Sequence, residues 1–306
     1  MFVLHGFLAP QAGVKGMADK YKAGVLYLCP TPIGNLEDIT LRVLRVLREV
    51  DLIAAEDTRR TRKLLSHYDI HTSLTSYHEH SRRSKGDYLL DRLCRGQSVA
   101  LVSDAGTPGI SDPGEELVSA ALDRGVPVVS LPGPSALLTA LTVSGLPLAR
   151  FAFEGFLPVK SKERRQRLAA LAGETRTMIL YESPHRLCKT LDELAGALGG
   201  NRLACAAREL TKLHEEVRRG TLDELREHFS NRPPQGEFVL VVEGGAKTGP
   251  DSLQVEQTHL SPEEHVRLLK NEGLPPSQAV KTVARLRNIP RRELYKRFNK
   301  LNDTDT

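Results

Sequence analysis

Four short loops rich in glycine and proline each follow an apolar, β-branched run of the chain, at residues 31–35, 103–109, 131–136 and 181–185. Such runs are typical of buried parallel strands, and in an open α/β sheet the ligand crevice lies just beyond the carboxyl ends of the strands. Glycine lets backbone approach a ligand closely because it has no Cβ, and proline fixes φ. The pattern therefore predicts a crevice for an extended small molecule, lined mainly by main chain.

Strand-type and helix-type segments alternate along the chain, which predicts right-handed βαβ crossovers and a mostly parallel sheet in the first half. The predicted strands lie at 25–29, 52–55, 98–103, 127–131, 176–181, 202–208 and 237–242, and an apolar segment covers 151–157. The predicted helices lie at 36–50, 58–68, 85–95, 114–124, 186–198 and 222–229, with one more ending near residue 171. For 306 residues, two α/β domains and a small appendage fit better than one large core.

The predicted boundaries divide the chain into four parts. Residues 1–23 show no strand or helix pattern and are expected to be a disordered extension. One α/β domain is expected over 24–146 and a second over 147–245, followed by a linker and a helical unit over 246–306. In that last part, Ser261 is an N-cap candidate before a proline and two glutamates, and further helix starts lie at Ser277 and Pro290. This spacing predicts a three-helix unit of helix-turn-helix type.

Basic residues are clustered although the net charge is only +5. Residues 277–300 contain eight Lys/Arg against the single acid Glu293, and two further clusters lie at 160–167 and 59–63. One such cluster is more often a solvated surface, but three in one chain favour a polyanionic partner. The candidate contacts are Arg59, Arg60, Arg62, Lys160, Lys162, Arg164, Arg165, Lys281, Arg285, Arg291, Arg292 and Lys296.

Several function classes lack their sequence signatures. The chain has no phosphate-loop motif, no G-x-G-x-x-G after the first strand, and neither H-E-x-x-H nor paired-cysteine spacing, so no metal site is expected. The segment His78-Glu79-His80 is interpreted as a solvent-facing loop. The apolar runs are strand-sized and the first 20 residues lack a signal-peptide pattern, so we expect a cytoplasmic protein with no membrane partner.

Five linked motifs together resemble the tetrapyrrole-methylase superfamily. They occupy residues 28–35, 56–59, 103–108, 131–136 and 181–186, in the family's order. The resemblance implies two α/β domains with an interdomain cleft, S-adenosylmethionine as cofactor, and a homodimer. Within the superfamily the resemblance is to enzymes that methylate a cytidine ribose 2′-hydroxyl of small-subunit rRNA near the decoding centre. The resemblance therefore implies that the partner of the basic clusters is small-subunit rRNA within the 30S particle.

The resemblance also implies cofactor contacts from both domains. The matching positions are Pro32, Asp104, Gly106, Thr107, Ser135, Ala136, Glu182, Ala207 and Phe238. An anionic Asp104 suits the methionine ammonium or the sulfonium charge, but it could equally cap a helix starting near Pro113. Ser135 is at once a cofactor contact and an N-cap candidate, and Gly106 is also a plausible turn former.

Methyl transfer to a ribose needs a base, because the hydroxyl is a poor nucleophile until its proton leaves. The candidates at strand ends are Glu56, Asp57, Glu182 and His185. Asp57 is preferred as the base, with Arg59 on the neighbouring phosphate and Glu182 also assigned to the catalytic group. The alternative is that Asp57 caps the helix starting at Thr58. Candidate platforms for a nucleobase are Tyr77, Phe156 and Tyr181.

Two other functions remain open at this stage. A small-molecule tetrapyrrole methyltransferase would share the cofactor loops but has no use for a basic helical appendage. A non-catalytic rRNA-binding assembly factor would need the basic clusters but not the cofactor loops.

Overall fold

A computed structural model of the chain describes residues 23–78, 82–245, 261–271, 274–287 and 289–302. The extension expected over 1–23 therefore lies outside the described residues, apart from Ala23. The chain divides into two compact units, 1–245 and 246–306. The first unit contains two five-stranded sheets.

The first sheet is wholly parallel, as the alternation of strands and helices predicts. Its strands lie in the order β3-β2-β4-β1-β5. They are β1 (Leu26–Leu28), β2 (Leu52–Ala55), β3 (Leu74–Ser76), β4 (Val99–Val102) and β5 (Val128–Ser130). The short β3 was not predicted, because its sequence Leu-Thr-Ser lacks a continuous apolar run.

Helices cover both faces of this sheet, since alternate side chains of each strand point to opposite sides. The helices are α1 (Leu41–Glu49), α2 (Thr58–His67), α3 (Arg82–Cys94) and α4 (Glu115–Asp123). In β2, Ile53 and Ala55 pack under α1 and α2, whereas Leu52 and Ala54 pack under α3 and α4. The strands up to β3 are added on one side of β1, whereas the chain then returns to β4 and adds β5 on the other side. Such a reversal of strand order places a ligand crevice at the carboxyl edge of the sheet.

The single helix predicted over 36–50 is wrong. A 3-10 turn covers Leu36–Asp38, and α1 begins only at Leu41. Thr40 has extended backbone (φ −81°, ψ 146°), and its hydroxyl accepts a hydrogen bond from Val43 N at 3.1 Å. The side chain of Thr40 therefore caps a new helix at this point, and the apolar periodicity alone did not show the break.

The second sheet is mixed, with the order β6-β7-β10-β8-β9. Only β6 and β7 are parallel, and the remaining pairs are antiparallel. Its strands are β6 (Phe151–Phe156), β7 (Thr177–Glu182), β8 (Leu203–Arg208), β9 (Glu216–Thr221) and β10 (Phe238–Val242). The edge strand β9 was not predicted, because it is polar and has no buried residue.

Three helices cover one face of this sheet and a fourth covers the other. The outer face packs against α6 (Ser161–Leu171), α7 (Pro184–Leu198) and α8 (Leu222–Asn231). The inner face packs against α5 (Ala136–Val143), whose Ala140 and Leu141 contact Ile179 and Val241. Since α5 follows directly on β5, it joins the two sheets and brings their loops together.

The second unit has three helices around a core of its own. They are α9 (Pro262–Asn271), α10 (Pro276–Leu286) and α11 (Arg291–Asn302). The core combines Val266 with Ala279, Val283, Leu294 and Phe298. Ser261 and Glu264 form reciprocal hydrogen bonds at the start of α9, so Ser261 is the N-cap.

Candidate active site

Glycine-rich backbone connects two loops at the carboxyl edge of the first sheet. Strands β1 and β4 are neighbours, and the loops that follow them exchange two hydrogen bonds of 2.9 Å between Thr31 and Gly106. Gly106 has a φ of +82°, which an L-amino acid with a side chain rarely adopts. The glycine is therefore required by the backbone conformation of this contact.

A cavity of about 430 Å³ opens between these loops and the second sheet. This volume is within the range of small-molecule sites. Eight of the nine predicted cofactor positions line it, and the ninth, Pro32, lines a neighbouring cavity. The eight are Asp104, Gly106, Thr107, Ser135, Ala136, Glu182, Ala207 and Phe238. Ser135 begins α5, but its side chain makes no capping hydrogen bond.

Asp104 is held from two sides at the cavity wall. One carboxylate oxygen accepts a hydrogen bond from Asp57 N at 3.0 Å, and the other lies 3.3 Å from Arg60 Nη1. The alternative that Asp104 caps the helix near Pro113 is wrong, because Gly114 is the N-cap of α4 and no side chain bonds there. Burial, followed by the nearby Asp104, raises the pKa of Glu56, which also lines the cavity.

A third carboxyl group, Asp112, lines the same cavity and was missed in the sequence. Burial, with smaller contributions from Glu56 and Asp104, raises its pKa to about 7. The available signal was a repeated Ser-Asp pair, since Ser103-Asp104 recurs as Ser111-Asp112 at the far end of the same loop. Read together, the two pairs would have predicted two acids in one crevice.

Asp57 is the N-cap of α2. Its side chain accepts a hydrogen bond from Arg59 N at 2.8 Å and pairs with the Arg59 guanidinium at 3.0 Å. These bonds, the Arg59 side chain first, lower the pKa of Asp57 to about 2. The capping alternative therefore fits the structure, and so weak a base is poorly suited to take a hydroxyl proton.

Glu182 is buried at the end of β7 and belongs to a polar network. It accepts hydrogen bonds from Thr190 Oγ1 at 2.5 Å and from Ser183 N at 2.8 Å. Arg164 donates to Thr190 at 2.7 Å and to Glu193 at 2.5 Å, and only 4% of its surface is exposed. The prediction that Arg164 contacts RNA is therefore wrong, since its guanidinium is buried and hydrogen-bonded inside the protein.

Other predicted site residues are distributed over the surface and the core. Tyr77 is only 1% exposed, so its prediction as a nucleobase platform is wrong, whereas Phe156 and Tyr181 line the cavity. His185 is exposed and lies on neither cavity wall. The side chain of Arg285 and residues 79–80 of the His-Glu-His segment lie outside the described part. The exposed basic candidates are Arg59, Arg60, Arg62, Lys160, Lys162, Arg165, Lys281, Arg291, Arg292 and Lys296.

A second cavity of about 450 Å³ shares a wall with the first. Ile33, Arg60, Asp104 and Ala105 line both cavities. Lys63 and His67 of α2 line the second cavity and not the first, as do Pro32 and Thr61. Lys63 adds a positive charge to this cavity. An acidic cavity and a basic cavity therefore lie side by side at the same sheet edge.

The described residues contain no group of three or more His, Cys, Asp or Glu side chains that could hold a metal ion. Within the same residues, no helix has the length and apolar character needed to span a bilayer.

A family model described as tetrapyrrole (corrin/porphyrin) methylases matches residues 25–226, which carry the whole first sheet, four of the five strands of the second and most of the cavity wall. The chain belongs to the tetrapyrrole methylase family. This agrees with the family expected from the five motifs and with the predicted fold of two α/β domains and C-terminal helices.

Curated relatives within the tetrapyrrole methylases match almost the whole chain. A ribosomal RNA small subunit methyltransferase I of Halalkalibacterium halodurans is 50% identical over 273 residues, which is 89% of this chain and 93% of the relative. A protein of the same name from Bacillus subtilis is 45% identical over 292 residues, or 95% and 99% of the two chains.

Solved structures share the tetrapyrrole methylase fold at low identity. A diphthine synthase superposes with a TM-score of 0.58 at 16% identity, covering 72% of this chain and 90% of its own. A uroporphyrin-III C-methyl transferase of Thermus thermophilus complexed with S-adenosyl homocysteine gives 0.53 at 21% identity, covering 72% and 97%. Family membership supports S-adenosylmethionine as the cofactor of this chain.

Proposed function

We propose that this protein transfers a methyl group from S-adenosylmethionine to the 2′-hydroxyl of a cytidine in small-subunit rRNA near the decoding centre. The main support for this proposal is the near full-length similarity to proteins named ribosomal RNA small subunit methyltransferase I. The cavity and the basic surface next to it support the same function. The choice of cytidine and of its 2′-oxygen rests on the family resemblance of the motifs.

The first cavity fits the proposed cofactor in both charge and shape. Glu56, Asp104 and Asp112 offer carboxylates for an ammonium and a sulfonium group. On the opposite side, Ala207, Phe238 and Val239 of the second sheet form an apolar wall suited to a nucleobase. A methyl sulfonium supplies an electrophilic carbon when it is bound there.

The protein's own part in this reaction is alignment and exclusion of water. Methyl transfer is an in-line displacement, so orientation of the attacking oxygen provides much of the rate. Rigid backbone at Gly106 and the buried carboxylate of Glu182 fix two sides of the cavity. Asp57 acts in this proposal as a helix cap beside Asp104, to which its backbone N–H donates.

The second cavity is suited to the phosphate backbone of the substrate strand. Lys63 and His67 lie one turn apart on α2 and line this cavity. Cations here attract phosphates without reading the sequence, so they position the strand at the border of the two cavities. Further phosphate contacts are proposed for the exposed basic residues on α6 and, separately, for those of the helical unit.

We also propose that the enzyme acts on rRNA within the 30S particle, in the cytoplasm and as a homodimer. The particle and the homodimer rest on the family resemblance, and the cytoplasmic location rests on the strand-sized apolar runs of the sequence. Sedimentation of the purified protein at micromolar concentration tests the dimer, and a monomer under those conditions would contradict it.

Transfer of labelled methyl groups tests the proposed function directly. Small subunits from cells lacking the enzyme are compared with free rRNA and with a uroporphyrinogen-type substrate, and nuclease mapping locates the label. Label on a cytidine ribose of particle rRNA is expected. Label on the tetrapyrrole alone would replace the proposal with a small-molecule methyltransferase, and absence of any transfer would favour a binding factor.

A further inference from the structure

We propose that Asp112 is the proton acceptor for the substrate hydroxyl. The inference deepens the proposed function and rests on it, since it assigns a catalytic residue within the same cavity. No motif in the sequence suggested this role, and it depends on where the loop after β4 returns to the cavity.

The backbone between Gly106 and Gly114 turns sharply so that Asp112 faces the cavity in which Asp104 lies. Gly109 has a φ of +83° and Gly114 a φ of +157°. Ser111, directly before Asp112, has a φ of +62°, which is strained for a residue with a side chain. The loop thus accepts strain next to the carboxyl group that it brings to the cavity wall.

A shared serine connects Asp112 to the backbone of the cofactor loop. Ser103 Oγ donates to Gly106 O at 3.1 Å. A hydrogen bond between the Ser103 side chain and Asp112 lowers the pKa of Asp112, against the larger effect of burial. A hydroxyl that donates to a carboxylate stabilises its ionised form. Ser103 therefore favours the ionised Asp112 that the proposed step requires.

The surroundings of Asp112 keep its proton exchangeable near neutral pH. The groups that face it are the acids Glu56 and Asp104 from the loops after β2 and β4, and Tyr181 from β7. Two cations line the same cavity: Arg60 pairs with Asp104, and Lys212 pairs with Glu209 and Glu237. The resulting pKa of Asp112, about 7, is close to the optimum for a base at physiological pH.

The other acids at this edge are committed to structural bonds. Asp57 caps α2, and Asp104 is held by Arg60 and by a backbone N–H. Glu182 accepts from Thr190 and Ser183 N and lies 3.5 Å from Arg186. Glu209 and Glu237, on the same wall, pair with Lys212 at 2.9 and 3.0 Å. Glu56 therefore serves as the competing candidate in the test.

The proposed step is balanced in atoms and charge. The carboxylate of Asp112 takes the hydroxyl proton while the 2′-oxygen forms a bond to the methyl carbon. The carbon–sulfur bond of the donor breaks, and its electron pair stays on the sulfur, which becomes neutral. Protonated Asp112 then returns its proton to water.

The pH dependence of methyl transfer tests this assignment. In the wild type, kcat is expected to rise with a slope of one in log kcat below an inflection and then reach a plateau, because only ionised Asp112 accepts a proton. The variant Asp112→Asn should lower the plateau by about 10²- to 10⁴-fold and lose the inflection, with the rRNA KM changed less than threefold. An exposed acid at the end of α4 provides the control, since Asp123→Asn should leave the profile unchanged.

Glu56→Gln separates the two candidate bases. If Asp112 is the base, removing the neighbouring negative charge moves the inflection to lower pH but keeps it. Loss of the inflection in Glu56→Gln, with its retention in Asp112→Asn, would overturn the assignment. A kcat of Asp112→Asn within threefold of the wild type at every pH would also overturn it.

Cofactor binding to the free enzyme gives a readout independent of activity. Calorimetry near pH 7 in two buffers of different ionisation enthalpy measures protons released when S-adenosylmethionine binds. The cation should expel a proton from Asp112, so release is expected in the wild type and is lost in Asp112→Asn. Wild-type protein that methylates no ribose would refute both the proposed function and the base role. Normal ribose methylation with unaltered proton release in Asp112→Asn would refute the assignment of Asp112 alone.

Discussion

Removal of the Arg164 side chain should destabilise the protein without directly affecting RNA binding. Arg164 and Arg165 are adjacent in the same basic cluster, but Arg164 is buried and Arg165 is exposed. Arg164→Ala leaves Glu193 and Thr190 without the guanidinium that they now share. Arg165→Ala removes the same charge from solvent and is the matched control.

The expected magnitude follows from the burial of the pair. Removing one partner of a buried ion pair typically costs about 3–5 kcal/mol, because the other charge is left uncompensated. The Glu193 side chain is 28% exposed and is partly rescued by water, so we expect the lower end, about 3 kcal/mol. For a unit of this size that corresponds to a fall in Tm of about 6–12 °C. Arg165→Ala should change stability by less than about 0.5 kcal/mol.

Thermal unfolding and rRNA binding together distinguish the two variants. Arg164→Ala should lower Tm yet retain rRNA affinity at a temperature where it is folded, whereas Arg165→Ala should keep Tm and reduce the salt dependence of binding. Pairing with Glu193→Gln in a double-mutant cycle isolates the coupling between the two side chains. Equal Tm values for both arginine variants, with loss of rRNA affinity in Arg164→Ala, would refute this reasoning.

Three further expectations concern the two cavities. Gly106→Ala should lower the free energy of unfolding by about 1–2 kcal/mol, because the φ of Gly106 is +82°. Gly86→Ala in α3 should raise it by about 0.5–1 kcal/mol, because an added Cβ there meets nothing within 4 Å. Opposite shifts in Tm check these two expectations. Raising the pKa of Asp112 above that of the unfolded chain stabilises the fold below about pH 4, and this contribution is lost as pH rises through about 7. Asp112→Asn should therefore increase the free energy of unfolding at pH 8 relative to the wild type, by at most about 4 kcal/mol before solvent screening and by less after it, and should raise Tm accordingly. Denaturation scans at pH 4.5 and 8 measure this difference. Lys63→Ala should lower the slope of log affinity for rRNA against log salt by about 1, and Arg62→Ala, outside the cavity, by less; equal slopes would contradict a role for the second cavity.

Much of the fold could be predicted because its signals are local. The all-parallel first sheet follows from continuous apolar runs such as 99–102, which are buried on both faces. The misjudged segments are those in which a single side chain or an edge position decides the structure. Thr40 ends one turn and starts another helix, and β9 is polar because it is an edge strand.

The candidate site could be predicted only in part. Its glycine-rich loops are visible in the local sequence, whereas the contacts that bury or perturb its side chains come from residues far away in the sequence. The glycine-rich loops were predicted from their place after strands, and the family resemblance pointed within them to residues such as Gly106 and Ser135, which line the cavity. Arg164 could not be distinguished from Arg165 by charge, since burial depends on where α6 meets α7. The pKa of Asp112 is raised first by burial and then by Glu56, which lies far away in sequence.

The two cavities place opposite charges at a shared border, and this arrangement matches the reactants proposed for them. A sulfonium cofactor is stabilised by the carboxylates of the first cavity, and a phosphate backbone by the cations of the second. Without separation these groups would neutralise one another and bind neither reactant. The Arg60–Asp104 pair lies on the common wall, and Lys212, which also lines both cavities, is held by Glu209 and Glu237 at 2.9 and 3.0 Å. These ion pairs neutralise the charges nearest the shared wall. Asp112 in the first cavity and Lys63 in the second then remain to act on the reactants. The reacting oxygen must therefore enter the first cavity while the phosphates of the same strand lie in the second.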